Sequence, residues 1–318
     1  MTLQALRDGG KRALAAALAG LERDPEGEKA QALLDAAWRG PHAQNVAHVV
    51  GVTGPPGVGK SSLCAALVAA WRRSGKTVGV IAVDPSSKSS GGALLGDRVR
   101  IVHDSTDEGS FVRSMAARDR LGGLADQTLA AMVVMRALFD RVLIETVGVG
   151  QSETDVAGVA DTVVFCVQPG SGDSLQFMKA GIVEIPHLIV VTKADLGAVA
   201  ERARADVAGA LSLATAGDDW PVKTLAVSSR SSAGMDTLMA ALEAHRDHQA
   251  ADNRLAVFRH RQSEGWLVQS LRDRFGREGI ARLGRLGFDL SLKPGAQPFL
   301  RMRELGTVLA GKDEGEKR

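Results

Sequence analysis

The feature of this chain that most constrains its fold is a glycine-rich loop placed directly after a short apolar run. Residues 54–62 read Gly-Pro-Pro-Gly-Val-Gly-Lys-Ser-Ser and follow the apolar run 46–53. This is the spacing of a Walker A loop, in which glycines let successive backbone N–H groups turn toward phosphates, the lysine neutralises the outer phosphates and the following serine offers its hydroxyl to Mg²⁺. The pattern predicts a nucleoside triphosphate site. Its predicted phosphate-binding residues are Gly54, Pro55, Pro56, Gly57, Val58, Gly59, Lys60, Ser61 and Ser62.

Composition narrows the class of protein without naming a function. The chain has 318 residues, 45% of them apolar, and a formal net charge of +2. Such a balance argues against nucleic-acid and membrane partners. Its two cysteines, Cys64 and Cys166, have neither the spacing nor the context of a disulfide or metal site, so a reducing cytoplasm is expected. We see no signal-type segment and no apolar run of transmembrane length.

The order of apolar runs predicts the architecture. Short apolar runs alternate with amphipathic stretches between residues 46 and 250, which indicates an α/β P-loop fold with a mostly parallel sheet covered by helices on both faces. Strands are predicted at 46–53, 77–83, 99–102, 141–145, 161–167, 187–192 and 222–227. Helices are predicted at 60–74, 122–139, 174–182, 198–214 and 234–249. Residues 1–45 and 251–318 read as helical extensions on either side of this domain.

Acidic side chains follow two of these strands and one glycine-rich loop. Asp84 ends a strand, Asp97 lies in the loop 91–98 and Glu145 ends the strand that precedes Thr146-Val-Gly-Val-Gly-Gln-Ser-Glu153. Any one of them could be a helix cap or turn residue. Together with Ser61 they form a predicted Mg²⁺ site, and they could also orient an attacking water.

Two glycine-containing segments are predicted to respond to the nucleotide. The first follows Glu145, and its glycines, which include Gly148 and Gly150, let the backbone approach and re-form around a γ-phosphate as a switch segment must. The second, 168–179, carries Asp173 and Lys179. It reads either as a simple turn with a helix cap or as a mobile loop whose lysine stabilises transition-state charge once a partner orders it.

The strand at 187–192 runs into Thr192-Lys193-Ala194-Asp195, which resembles the Asn-Lys-x-Asp element of GTPases. A carboxylate at Asp195 can accept from both N1–H and the exocyclic amino group of guanine, whereas adenine offers no such donor pair. The stem of Lys193 would cover the base. Thr192 stands where asparagine is usual; its hydroxyl can still hold the loop, but one amide contact is missing. Ser228 and Ser229 follow the next strand, where GTPases commonly place a second base-contacting loop.

These motifs, in this order, resemble the MeaB/ArgK-type GTPases associated with methylmalonyl-CoA mutase, within the SIMIBI class of P-loop proteins. The run 145–153 is the most specific match, and the resemblance covers roughly residues 45–250. It implies that the chain binds Mg²⁺ with GTP or GDP and hydrolyses GTP slowly until the partner stimulates it. It further implies catalytic roles for Lys60, Asp84, Asp97, Asp173 and Lys179. By the same resemblance, Gln151 and Glu153 belong to the switch that contains Gly148 and Gly150.

The resemblance also implies the partners. Proteins of this type are chaperones that couple GTP binding and hydrolysis to delivery of intact adenosylcobalamin to a cobalamin-dependent acyl-CoA mutase. They also couple it to removal of damaged cofactor, which protects or reactivates the mutase, and the adenosylcobalamin is bound by the partner. The mutase's cobalamin adenosyltransferase is a further implied partner, and a homodimer through the C-terminal helical extension is implied as well. The Arg/Ala-rich segment 111–120 departs from the family's usual Pro/Ser-rich stretch. A sister mutase acting on isobutyryl-, 2-hydroxyisobutyryl- or ethylmalonyl-CoA is therefore as plausible as the methylmalonyl enzyme.

Other readings remain open at this point. A nickel-insertion GTPase of hydrogenase or urease maturation would want a Cys/His cluster, and the histidines here are scattered. His245 and His248 are expected on a solvated helix face. A P-loop kinase needs the same phosphate clamp, but no acceptor-site signature is visible. A nucleotide-gated binding module would differ only in turnover. The arginines between 254 and 303 are expected on a solvated or dimer-forming face rather than a nucleic-acid surface.

Overall fold

The computed structural model describes residues 2–40, 47–85, 106–117, 126–146, 155–170, 185–212 and 220–311. The strands in these ranges are β1 His48–Thr53, β2 Val78–Pro85, β3 Ser110–Ala117, β4 Arg141–Glu145, β5 Thr162–Val167, β6 Leu188–Val191 and β7 Lys223–Ala226. The helices are α1 Leu3–Asp8, α2 Gly10–Arg23, α3 Glu28–Arg39, α4 Lys60–Arg73, α5 Asp126–Arg136, α6 Ala198–Leu211, α7 Met235–Ala250, α8 Arg254–Arg285 and α9 Pro298–Leu309. Short 3₁₀ turns lie at Val156–Gly158, Ala194–Leu196 and Ala251–Asn253.

One parallel sheet organises the described residues. Its strand order is β3-β2-β4-β1-β5-β6-β7, and each neighbouring pair runs parallel. Strands β1, β4, β5 and β6 are buried along their whole length. Such continuous burial is what helices on both faces impose on a parallel sheet, and it explains why these strands read as unbroken apolar runs. The predicted α/β architecture is confirmed.

Alternate strand residues feed two separate cores, as the pleat requires. On one face, Val49 and Val163 join α1, α2, α3 and α5. On the other face, Val50 and Val164 pack against α4 and α7. Helix α6 closes a smaller cluster beyond β5 and β6. The N-terminal helices and helix α7 therefore lie on opposite faces of the sheet.

The edge strand β3 was not predicted. The sequence placed a strand at 99–102, which lies outside the described residues, and took 111–120 as an Arg/Ala-rich departure. Instead, Ser110–Ala117 pairs with β2 along its length. Phe111 and Met115 are buried, and the charge of Arg113 is balanced by Glu22 on α2, 2.7 Å away. Because Arg113 pairs with a residue on a distant helix, this strand lacks the alternation of apolar and polar residues by which a strand is recognised in a sequence. The helix predicted at 174–182 also lies outside the described residues.

The described residues after the sheet domain, 251–311, are mostly helical, as predicted. Helix α8 is interrupted at Gly276, where φ is +69°, and packs against α9 around a cluster of its own that includes Leu267, Leu271 and Leu305. The boundaries proposed at residues 45 and 250 stay predictions. No helix in the described part of the chain combines the length and the apolar character that crossing a bilayer requires.

A buried ion pair ties α8 to the sheet. Arg259 donates from Nε and Nη2 to the two carboxylate oxygens of Asp161, at 2.8 and 2.7 Å, and from Nη2 to the carbonyl of Ala47. Asp161 also accepts from the backbone N–H of Val49. The expectation that the arginines of this segment face solvent or a second subunit is therefore wrong for Arg259, because its partner lies at the start of β5.

A second buried polar group lies at the same end of the sheet. The hydroxyl oxygen of Thr162 is 2.7 Å from Nε2 of His48 and 2.6 Å from Nδ1 of His245. His245 is fully buried, and its ring lies 4.2 Å from that of His187. The expectation of a solvated face is thus wrong for His245: helix α7 turns this side chain onto the amino ends of β1 and β5.

Candidate functional site

The glycine-rich loop joins β1 to α4 at the carboxyl edge of the sheet. Gly54, Gly57 and Gly59 have φ values of +134°, +74° and +105°. At Gly54 a side chain is also sterically excluded, since a Cβ would lie 2.3 Å from the carbonyl oxygen of Cys166 on β5. The loop therefore lies directly against the neighbouring strand, and only glycine fits its first position.

Lys60, the first residue of α4, folds back over this loop. Its Nζ donates to the carbonyl oxygens of Gly54 and Pro55 at 2.7 and 2.9 Å, and the residue is 7% exposed. The ammonium is thus held on the loop rather than in solvent. A cation in this position at a helix N-terminus is suited to binding the outer phosphates of a nucleotide.

Ser61 and Glu145 meet beside the lysine. The hydroxyl of Ser61 donates to Oε1 of Glu145 at 2.6 Å. The sheet explains the meeting, because Glu145 at the end of β4 is in register with Val52, near the end of β1. A hydroxyl and a carboxylate are oxygen donors of the kind that Mg²⁺ prefers, so the residues present fit that ion.

The remaining predicted acidic residues can be placed only in part. Glu145 is in register with Ala82 on β2, so the backbone of Asp84 stands two residues farther toward the same edge. Its side chain is not among the described parts of the chain. Asp97 and the predicted switch residues also lie outside the described ranges; these are Gly148, Gly150, Gln151, Glu153, Asp173 and Lys179. Their roles stay predictions.

Thr146 anchors the beginning of the segment that is predicted to act as the first switch. Its hydroxyl donates to that of Thr53 at 2.8 Å, and its backbone N–H donates to the carbonyl of Val52 at 3.1 Å. Both contacts are made to the last residues of β1. The segment after Glu145 therefore starts from a fixed point next to the phosphate-binding loop. Sequence analysis missed these two threonines, although each directly follows a buried strand run.

Thr192 links the predicted base-recognition loop to the phosphate-binding loop. Its Oγ1 lies 2.7 Å from the carbonyl oxygen of Val58 and 3.1 Å from that of Val167, and the residue is 6% exposed. The hydroxyl can donate its hydrogen to either carbonyl. A threonine thus holds the loop here, and the two halves of the site are joined through one side chain.

Asp195 is held by the turn after β7. The buried hydroxyl of Ser228 donates to Oδ1 of Asp195 at 2.6 Å and accepts from the backbone N–H groups of Arg230 and Ser231 at 3.2 and 3.1 Å. This hydrogen bond is the main reason that the pKa of Asp195 lies below its usual range. The carboxylate is therefore ionised and oriented, while the residue itself remains exposed. Ser229 lies on the same turn and is half-buried.

The two cysteines lie in the core beside this site. Both are free and fully buried, and burial raises the pKa of the Cys166 thiol to about 12. Such thiols pack as small apolar groups and do not act as nucleophiles. Among the residues that the structure describes, no three His, Cys, Asp or Glu side chains are grouped so that they could hold a metal ion.

Comparisons with known proteins agree with this geometry. A statistical model of the family described as methylmalonyl Co-A mutase-associated GTPase MeaB matches residues 13–281. A putative GTPase of Pyrococcus horikoshii is 48% identical over 194 residues, which make up 61% of this chain and 60% of that protein. GTPase ArgK of Escherichia coli is 36% identical over 272 residues, covering 84% of this chain and 81% of that protein. The mouse methylmalonic aciduria type A homolog, mitochondrial, is 37% identical over 69% of this chain and 54% of its own length.

A solved structure described as an LAO/AO transport system kinase superposes with a TM-score of 0.67 at 28% identity, covering 97% of this chain and 96% of that one. The matched segments span less than two thirds of the Pyrococcus and mouse proteins. The family match itself, however, covers most of this chain, from the N-terminal helices well into α8. The chain belongs to the MeaB family of methylmalonyl-CoA mutase-associated GTPases.

Proposed function

We propose that this protein binds GTP with Mg²⁺, hydrolyses it slowly, and uses the state of the terminal phosphate to control adenosylcobalamin delivery to an acyl-CoA mutase. The observation that carries the nucleotide part is the oriented carboxylate of Asp195, fixed by Ser228 at 2.6 Å. Asp195 lies on the loop that Thr192 links to the Walker A loop. This contact supports a site in which base recognition and phosphate binding share the carboxyl edge of the sheet.

Each predicted site residue discussed below has a chemical role in this proposal. Lys60 binds the outer phosphates, and Ser61 with Glu145 would hold Mg²⁺, the carboxylate acting through water. The ion would neutralise charge on the phosphate oxygens as it develops. Asp84 and Asp97 complete the proposed acidic set and orient the attacking water. Such sites generally need added positive charge in the transition state, and we assign that charge to Lys179. Hydrolysis is therefore expected to be slow without a partner.

The partner is proposed from family membership. The family description names methylmalonyl-CoA mutase, and the mouse relative is named for methylmalonic aciduria. We propose that this chain serves that mutase or a sister acting on a related acyl-CoA, that adenosylcobalamin is bound by the mutase and not by this chain, and that the mutase's adenosyltransferase joins the exchange. A cytoplasmic homodimer formed through α8 and α9 is part of the same proposal.

One alternative has a specific observation behind it. The solved structure described as a transport system kinase is 28% identical and covers nearly the whole chain. A kinase would transfer the γ-phosphate to an acceptor other than water. The nickel-insertion alternative is less favoured, because the family match names a mutase-associated GTPase.

The test is a hydrolysis assay with the full chain and Mg²⁺, measuring phosphate release from GTP with and without a purified cobalamin-dependent mutase. The proposal expects slow release alone and a rise when the mutase is added. Lys179→Ala should keep GTP affinity and lose the rise. Phosphate transfer to a protein or small-molecule acceptor in place of release would support the kinase. Full stimulation of Lys179→Ala would remove the second loop from the mechanism.

A further inference from the structure

The lysine of the base-recognition loop has an anchor that the motif does not predict. Lys193 is a non-glycine residue with φ of +56°, in the left-handed region. Its Nζ donates to Oε1 of Gln168 at 2.8 Å. Gln168 directly follows β5, the strand that neighbours β6 in the sheet. Because a lysine can only donate, the amide oxygen of Gln168 must face it.

Thr192 cannot supply what this anchor supplies. A hydroxyl has one hydrogen, and the two carbonyl oxygens of Val58 and Val167 lie within hydrogen-bond distance of it. That hydrogen is therefore committed to the protein backbone, and Thr192 offers no donor to a base. Within the four-residue motif, recognition of guanine in the proposed function is left to the carboxylate of Asp195 and the stem of Lys193.

The two remaining groups are held in matching ways. Asp195 is fixed by a hydroxyl from the turn after β7, at 2.6 Å. Lys193 is fixed at one end by its left-handed backbone and at the other by an amide from the end of β5. Both ends of the lysine stem are thus held, one by its own backbone and the other by the residue that follows β5. A side chain of this length has many rotamers, and an anchor at its tip reduces the ordering needed when a base binds beneath it.

We propose that Gln168 is a positioning residue for guanine recognition. It holds the stem of Lys193 across the face of the base, and it acts on the base only through that lysine. This inference rests on the proposed function, because it needs GTP as the ligand. It adds a determinant of base affinity that lies outside the four-residue recognition motif. This determinant is a residue that directly follows the neighbouring strand β5.

The experiment separates base recognition from phosphate binding. Dissociation constants for GTP and for inorganic tripolyphosphate, which has phosphates and no base, are measured by calorimetry on the full chain with Mg²⁺. Gln168→Met keeps the side-chain length and removes the acceptor. We expect this variant to bind GTP about three- to tenfold more weakly, which is the effect of losing one exposed hydrogen bond to a charged group. Tripolyphosphate affinity and thermal stability should not change.

Three further variants make the outcome decisive. Gln168→Glu keeps an acceptor for Lys193 and should restore GTP affinity. In a Lys193→Met background, Gln168→Met should have no further effect. Gln269→Met, on the exposed side of α8 where Gln269 donates to Asp273, is the matched control and should bind both ligands normally. A Gln168→Met variant with unchanged GTP affinity, or with the same loss in the Lys193→Met background, would overturn the inference. Failure of the wild type to bind GTP would instead defeat the proposed function.

Discussion

The two ends of the parallel sheet use polar residues in opposite ways. At the carboxyl end, Lys193 and Asp195 are exposed. Lys193 donates to Gln168, which follows β5, and Asp195 accepts from Ser228, in the turn after β7. At the amino end, Asp161, Arg259 and His245 are buried, and the aspartate–arginine pair is bidentate. The first arrangement leaves charge available to a ligand. In the second arrangement, the opposite charges pair with each other inside the protein.

This difference teaches how a single sheet can carry both function and stability. Loops after parallel strands converge at the carboxyl edge, so groups there come from separate strands and can surround a ligand. The amino edge receives α7 and α8 and is closed by them. Variants at the two ends should therefore separate cleanly: those at the amino end should change folding, and those at the carboxyl end should change binding.

The largest effect is expected at the amino end. Arg259→Met would leave Asp161 buried without its guanidinium partner, which typically destabilises a protein by about 3–5 kcal/mol. Denaturant unfolding measures this loss. The control is Arg204→Met, which removes a surface pair with Glu201 and should change the unfolding free energy by less than about 1 kcal/mol. Nucleotide affinity of the folded Arg259→Met protein should be normal; a large loss of affinity would break the separation of the two ends.

The next effect is expected in binding. Lys60→Ala removes the ammonium held on the Walker A loop. It should lower the affinity for GTP about 100-fold, equivalent to about 2.7 kcal/mol of binding free energy. Calorimetric titration gives the affinity. Lys76→Ala removes the same charge from an exposed turn after α4 and should bind GTP normally. Equal behaviour of the two variants would show that the loop lysine does not contact phosphate.

Much of the carboxyl end could be predicted from the sequence, and little of the amino end could. Lys60 and Ser61 are adjacent in a motif whose geometry is local, and Glu145 and Asp195 directly follow strong apolar strand runs. By contrast, Arg259 pairs with a residue 98 positions away, and His245 with one 83 positions away. Neither contact has a local signal, because each depends on how helices added after the sheet pack onto it.

The pH dependence of stability tests the amino end without removing a side chain from it. Burial lowers the pKa of His48 to about 3 and also lowers that of His245. As the pH falls below about 6.5, the ordinary pKa of histidine, the unfolded chain therefore binds protons before the folded chain does. The contribution of these histidines to the free energy of unfolding is fully present above that pH and is lost as the pH falls. Between pH 6.5 and 5, the free energy of unfolding should drop by up to about 1.4 kcal/mol per pH unit for each buried histidine.

Denaturant unfolding at pH 5 and pH 7 checks this dependence. His48→Gln removes one of the two titrating groups and should reduce the slope by roughly one group's share. An unchanged slope would mean that the pKa of His48 is the same in the folded and the unfolded protein, which would contradict the proposed contrast between the two ends.

The smallest effect sharpens the description of the site itself. Thr192→Val removes the hydroxyl that contacts the carbonyl of Val58 and keeps the shape of the side chain. We expect a loss of about 1 kcal/mol in affinity, the net value of one hydrogen bond. Because Thr192 acts on the phosphate-binding loop, the affinities for GTP and for tripolyphosphate should fall together. This differs from the result expected for Gln168→Met. A loss confined to GTP would place Thr192 on the base instead.

The most direct test of the central claim is a calorimetric titration of the wild type and of Asp195→Asn with GTP, ATP and xanthosine triphosphate in the presence of Mg²⁺. The account predicts that the wild type binds GTP in clear preference to ATP. It also predicts that Asp195→Asn loses GTP affinity and gains affinity for the xanthosine nucleotide, whose hydrogen-bonding pattern complements an amide. Equal binding of GTP and ATP by the wild type, or unchanged GTP affinity in Asp195→Asn, would contradict it.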